Sequence, residues 1–501
     1  MIKTYKLYKL DEKSAEHWNY NLFYLVFFIL ILNFISFYFG IFQILWTQSL
    51  FILAIFFIFI IINTRIFELG FICWPNIFLM LLSLFHFGYY IPLQLGLIDR
   101  IPFLPDLDHP LIGIGMTIIM GAVISFELGA LAGIRVSHKK ISRKFIFLTS
   151  NKSRAIFILG LIITIASFVL MIIFAFQAGG IKNFFTMSYA DYISLVSYAD
   201  PRAAAMSLSY LPIGLLLLYI DASARKPKKK VYYFSTLIAI IILILWLLWL
   251  GNRGIALLLF LCLLYIHHLW VKRIKLMQAI AFFVLILVSI FIVREIRNIP
   301  VSERKNILES LKIDLMEPFI EMGGIIRPYL GCVEIFSSNK SNYLWGKSYI
   351  IAISRVLPNI GFNVRQINDL EYYRTNIWIT QELDPTSAKL GIGLGSSGIA
   401  EPYMNFGYPG VVIIFFALGY ILALIERRAV LYNSAYFTSI LVFLFFPINW
   451  YLRDDAYGTL RPMIWGLLSV FIFYFIFDGH FKNIKSSRSK YNENLYSRRD
   501  I

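Results

Sequence analysis

Charged side chains are scarce in this sequence. Asp, Glu, Lys and Arg make up 15% of its 501 residues, against 59% that are hydrophobic. A soluble globular domain carries roughly 25% charged residues, so too little polar surface is present to cover a water-facing fold. The mean hydropathy of +0.72 points the same way. Cysteine is nearly missing: Cys73, Cys262 and Cys332 are the three. Two of them fall in apolar runs, where a thiol behaves as a small hydrophobe. So few cysteines exclude a disulfide framework, and no zinc-ligand spacing is present. Acids are the rarer charge, 29 against 46 Lys and Arg, for a net +17. The sequence shows neither an internal repeat nor a nucleotide-binding fingerprint.

Apolar runs of about 20 residues, the length that crosses a bilayer, are abundant. They lie near 20–40, 44–63, 70–90, 111–134, 155–178, 204–222, 231–250, 255–271, 277–293, 406–425, 434–452 and 459–478. This pattern predicts an all-α integral membrane protein with about twelve transmembrane helices. The first run is too long for a signal peptide and lacks a small-residue cleavage site, so it reads as a retained helix. The runs 231–250 and 255–271 are joined only by Gly251-Asn252-Arg253-Gly254 and must form a tight helical hairpin.

Lys and Arg are held on the cytoplasmic side during insertion. With both termini cytoplasmic, the inner segments collect more than half of the 46 basic residues and fewer than a third of the 29 acids. The positive net charge is therefore a topology signal, not the basic face of a nucleic-acid-binding domain. The expected organisation is transmembrane helices 1–9 over 1–293, a large, partly helical outer loop over 294–405, transmembrane helices 10–12 over 406–478, and a basic cytoplasmic tail over 479–501. An outer loop of that size is usually functional. Within it Ile307, Leu308, Leu311 and Leu315 form a helical apolar stripe ending before Pro318.

The outer segments are rich in arginine despite the topology rule: Arg100, Arg202, Arg253, Arg294, Arg297, Arg304, Arg327, Arg355, Arg365, Arg374, Arg453 and Arg461 lie there. A planar guanidinium fork suits phosphate and carboxylate. An ordinary account of any one of them is pairing with an outer acid or reaching lipid headgroups. Arg253 stands apart, because its Gly-Asn-Arg-Gly turn offers no nearby acid in sequence. Arg253, Arg453 and Arg461 sit in short turns at the outer interface, where a lipid-linked diphosphate would lie.

A glycine-rich loop from Gly391 enters a polar turn, Glu401-Pro-Tyr-Met-Asn405, and then a span. Glu401 and Asn405 share a face if the turn is helical. Glu401 there is either a general base or an acid at a helix start, favoured by the dipole. Asp454 and Asp455 are the reserve bases. Asp106, Asp108 and His109 have the spacing of divalent-cation ligands, although the flanking Pro105 and Pro110 suit a capped turn. Glu127 lies inside the fourth run, where an unpaired charge is costly and must face the bundle.

Gly346-Lys-Ser-Tyr, Leu357-Pro358 and the stretch from Glu401 to Gly410, with its following span, resemble the Wzy-type O-antigen and repeat-unit polysaccharide polymerases. The Gly251-to-Gly254 turn is similar to a Ser-Arg-Gly turn of those polymerases and of the related O-antigen ligases. The Arg-x10-Gly pattern of some members is absent, so its roles are not carried over. The resemblance implies an inverting, metal-independent, cofactor-free GT-C-type transferase in the bacterial inner membrane, acting on polyprenyl-diphosphate-linked oligosaccharide. A flippase and a chain-length regulator are the implied partners. The implied site has Glu401, Asp454 or Asp455 as base, and Arg253, Arg327, Arg365, Arg374, Asn405, Arg453 and Arg461 on the diphosphate and glycan. The alternatives are a ligase with the same donor and a lipid A-core acceptor, or a polysaccharide flippase. Transporters seldom carry so long an outer loop, and few charges line these spans.

Overall fold

The computed structural model describes residues 12–40, 49–67, 69–97, 110–137, 154–186, 195, 201–225, 230–296, 316–338, 341–357, 373–389 and 393–477. Among them the secondary structure is helical, with no strand. Each of the twelve apolar runs carries a helix. In chain order these are α1 (Glu12–Phe39), α2 (Ser49–Ile66), α3 (Trp74–Phe87), α4 (Pro110–Ser137), α5 (Arg154–Gln177), α6 (Pro201–Arg225), α7 (Lys230–Trp249), α8 (Arg253–Trp270) and α9 (Leu276–Ile296). The segment between α9 and the tenth apolar run adds α10 (Glu317–Gly323), α11 (Ile326–Ser337), α12 (Lys347–Val356) and α13 (Thr375–Leu383). The chain closes with α14 (Ala400–Tyr432), α15 (Ala435–Tyr451) and α16 (Ala456–Phe477). Among the described residues seven helices are long and apolar enough to cross a membrane: α1, α4, α5, α7, α8, α14 and α16. Apolar stretches of α2, α3 and α15 are shorter.

α4 is the core helix. Of its span, 94% is buried inside the protein, against 22% for α5. α14 runs along α4 in backbone contact: a Cβ on Gly129 would overlap the carbonyl oxygen of Phe416, and one on Gly419 that of Phe126. In lipid no hydrophobic force drives helices together, so small residues that let backbones touch hold such a pair. Glu127 of α4 faces this interior, as expected, and accepts a hydrogen bond from Asn63 Nδ2 at 3.1 Å. Glu426 of α14 accepts from the backbone N–H of Trp74 at 2.9 Å and from the Tyr265 hydroxyl at 3.0 Å.

The hairpin of α7 and α8 forms at its expected place, with Gly251 at φ +87° making the turn. α14 starts earlier than the apolar run at 406, and it is two pieces. Gly407 (φ +66°, ψ −157°) breaks it, a conformation accessible essentially to glycine alone. The break leaves 400–406 as a short helix at the bundle end. The described part of the segment between α9 and α14 packs down on that end. Tyr329 of α11 donates to Gly115 O of α4 at 2.6 Å, and the N–H groups of Leu344 and Trp345 donate to the carbonyls of Met404 and Asn405, both at 3.0 Å. The apolar stripe 307–315 lies outside the described residues.

Candidate active site

The four-residue turn between α15 and α16, Leu452–Asp455, lies where α12, α13 and the start of α14 come together. Asp455 precedes α16 and accepts from Gly458 N at 3.0 Å, capping the orphan N–H groups of the helix start. Its other oxygen accepts from Asn376 N of α13 at 3.5 Å. Asp454 accepts from the indole N–H of Trp450 and from Asp455 N, both at 2.9 Å. Asp454 is half-buried while Asp455 is fully buried. Burial and the adjoining Asp455 carboxylate push the Asp454 carboxyl up to about 6.

Glu401, in the short helix before the Gly407 break, is fully buried beneath this turn. One carboxylate oxygen accepts from the Ser348 hydroxyl of α12 and the other from Ala456 N of α16, both at 2.8 Å. Asn405 lies on the same face, as its four-residue spacing predicts. Its Nδ2 donates to Ser348 Oγ and to Glu401 O, both at 2.8 Å, and its Oδ1 accepts from Gly346 N at 3.0 Å. Glu401 and Asn405 thus fasten α12, α14 and α16 to one another.

Arginines approach the turn from two sides. On one, Arg453 lies 5.3 Å from the Trp450 ring centroid and 5.9 Å from that of Phe85. The start of α8 packs here, with the Cβ position of Gly254 in contact with Trp450 and 3.9 Å from Arg453 Nη1. On the other side, Arg374 and Arg355 both stack on Tyr457, at 3.8 and 4.1 Å from its ring centroid. Two guanidiniums on one ring repel each other, and among the described residues neither is paired with a carboxylate. The buried Nε of Arg374 has no hydrogen-bond partner. Arg461 follows on α16, near Tyr210 of α6.

A sequence model of the O-antigen polysaccharide polymerase Wzy family matches residues 20–483. The chain belongs to that family. No curated protein and no solved structure matches it.

Membership makes the chain a multi-pass membrane protein of polysaccharide biosynthesis, with a glycosyltransferase-type polymerase activity on lipid-linked repeat units. Within this Wzy-family chain, Glu401, Asn405, Asp454, Asp455, Arg253, Arg374, Arg453 and Arg461 gather at one end of the bundle. Arg327 on α11 lies instead within electrostatic reach of Asp384. Arg365, Asp106, Asp108 and His109 fall outside the described residues.

The expectation that Arg253 has no acid nearby is corrected by the fold. Its guanidinium makes a two-pronged ion pair with the Glu321 carboxylate of α10. The acid is 68 residues away in sequence, and packing of α10 against α3 brings it in. Sequence reasoning counted Arg355 among the outer arginines and Ser348 within the Gly346-Lys-Ser-Tyr motif without placing either in the site, and singled out neither Tyr457 nor Trp450. Tyr457 had a signal, an aromatic two residues after an acidic pair, but nothing in the sequence aims Arg355 and Arg374 at it.

Proposed function

We propose that this chain polymerises polysaccharide repeat units by moving the growing glycan from polyprenyl diphosphate to the non-reducing end of a lipid-linked repeat unit. The observation that carries this reading is the pair Arg355 and Arg374 on Tyr457, free of carboxylate partners among the described residues and adjoining the Asp454–Asp455 turn. The donor is already activated. Its anomeric C–O bond breaks, the electron pair leaves with the diphosphate, and the acceptor hydroxyl oxygen bonds to the anomeric carbon from the opposite face. The stereochemistry inverts. Arg355 and Arg374 bind the departing diphosphate through planar forks, so the charge is met by arginine and no metal is required. Arg453 and Arg461 extend the cationic rim toward the glycan.

The acceptor proton needs a base. Each carboxylate accepts two hydrogen bonds, but Asp454 is partly exposed to an incoming hydroxyl whereas Glu401 is fully buried under the turn, which suits Asp454 better to that work. Glu401 is a positioning residue in this reading. The chemistry lies on the outer face of the bacterial inner membrane, with both termini cytoplasmic. A flippase must deliver the repeat units, and a chain-length regulator acts on the product. Co-purification of either with the full chain tests those partnerships.

The test of function is complementation of a deletion strain at matched expression, read on a glycan gel. Arg374→Lys keeps the charge but loses the fork, and the expected result is a single repeat unit on the core in place of a ladder. Bare core in the deletion strain would mean ligase, and an unchanged ladder from Arg374→Lys combined with Arg355→Lys would remove the diphosphate grip. Polymerisation by the purified protein is expected to continue in chelator. Its loss, with rescue by magnesium, would move the site toward Asp106, Asp108 and His109.

A further inference from the structure

The proposed chemistry makes no use of α9 or of the two grooves beside it. Among the described side chains of α9 from Leu276 to Ser289 none is buried and most are exposed. One groove, of about 560 Å³, lies between α7, α8 and α9 and is walled by side chains such as Leu245, Leu264 and Phe282. The other, of about 990 Å³, lies between α2, α3 and α9, with Phe57, Ile61 and Ile280 in its wall. Both fall in the range, roughly 300–1,000 Å³, of pockets that enclose one small ligand. Their walls are aliphatic and aromatic, and in a bilayer such a space is filled by chains of the same character.

Each groove ends on cations at the α8–α9 turn, the end opposite Arg253. Arg273 lines both, joined by Lys272 in the first and Arg65 in the second. The turn is fixed in place. Buried His268 accepts from Ile274 N at Nδ1 (2.8 Å), and its Nε2 donates to Leu69 O (2.9 Å), tying the turn to the link between α2 and α3. Among the described residues Arg65, Lys272 and Arg273 have no carboxylate partner, whereas Arg253 at the other end of the first groove is held by Glu321. Unpaired cations at the foot of an apolar slot between membrane helices match an anionic headgroup with its chains above, and the arginine fork suits phosphate.

We propose that anionic phospholipids occupy the two grooves flanking α9, with their phosphates at Arg273 and at Lys272 or Arg65, and fasten α9 to the bundle. This stands apart from the polymerase reading.

The test uses the purified full chain in detergent, titrated with phosphatidylglycerol or phosphatidylcholine, with bound lipid counted by native mass spectrometry. Phosphatidylglycerol is expected to be retained in preference by roughly tenfold or more, as two cations at a membrane surface supply. Arg273→Gln should abolish that preference, and Lys389→Gln, at an exposed lysine elsewhere, should leave it intact. Excess inorganic phosphate should not displace the lipid. Equal retention of phosphatidylcholine, an unchanged preference in Arg273→Gln, an equal loss in Lys389→Gln, or displacement by phosphate alone would each overturn the proposal. Should Arg273→Gln not fold, Leu285→Trp and Ile280→Trp, which fill one groove each and leave the charges in place, are each expected to remove one bound lipid. Undiminished binding in both would overturn it equally.

Discussion

Asp454 and Glu401 each accept two hydrogen bonds, but Asp454 is partly exposed and Glu401 fully buried, and that difference separates chemistry from support. Asp454 acts as base only when ionised. With its carboxyl pushed up to about 6 by burial and by Asp455, the polymerisation rate should rise with pH through about 6 and level off above it. Asp454→Asn should cost ~10²–10⁴ in rate, and the residual rate should show no inflection at that pH. Glu401→Gln should behave otherwise. The amide keeps an oxygen for Ala456 N but turns its NH2 on the Ser348 hydroxyl, which already accepts from Asn405 Nδ2. That mismatch in a buried network costs ~1–3 kcal/mol. It should appear as a lower thermal midpoint, with the pH inflection preserved in the protein that remains folded. An inactive Glu401→Gln protein of unchanged thermal midpoint would return the base to Glu401.

At the scale of elements, the break in α14 decides where Glu401 and Asn405 point. Gly407 holds φ +66° and ψ −157°, so Gly407→Ala should cost ~1–3 kcal/mol in backbone strain. Relief of that strain by a continuous helix would swing 400–406 away from Ser348 and Ala456. The expected outcome is shorter polymer at matched membrane level. A normal ladder would show that the break does not position the site. Much at this scale was legible in the sequence. Hydropathy placed a helix on every apolar run, because a run that lies in lipid must satisfy its own backbone. The four-residue spacing of Glu401 and Asn405 puts both on one face. What was not legible depends on chain segments meeting from afar. Glu321 reaches Arg253 across 68 residues, and Arg355 of α12 and Arg374 just before α13 meet on Tyr457. Local pattern carries no trace of such contacts. The early start of α14 was missed because a helix may begin in a polar turn, which has no apolar signal.

For the whole molecule, the two faces of the bundle differ in the kind of basic residue they carry. At one end lie the α8–α9 turn with Lys272, Arg273 and Lys275, and the Arg427–Arg428 pair late in α14. At the other lie Arg253, Arg355, Arg374 and Arg453, three of them committed to rings and one to Glu321. The first group consists of loop and helix-end charges of the kind retained in the cytoplasm, and the second is built into folded contacts. α8 runs from Arg253 to Trp270, a helix long enough to cross a membrane, and so puts the two groups at its opposite ends. α14 does the same between Glu401 and Arg428. If insertion follows charge, residue 350 in α12 belongs to the outer compartment and the basic tail after 478 to the cytoplasm. Alkaline phosphatase fused after residue 350 should be active, and the same reporter fused at the C-terminus inactive, with a cytoplasmic fluorescent reporter giving the reverse. Two fusions reporting the same compartment would break the assignment. They would also place the arginine cluster on the face where lipid-linked repeat units are assembled, before flipping, and polymerisation on the outer side would then fall with the topology.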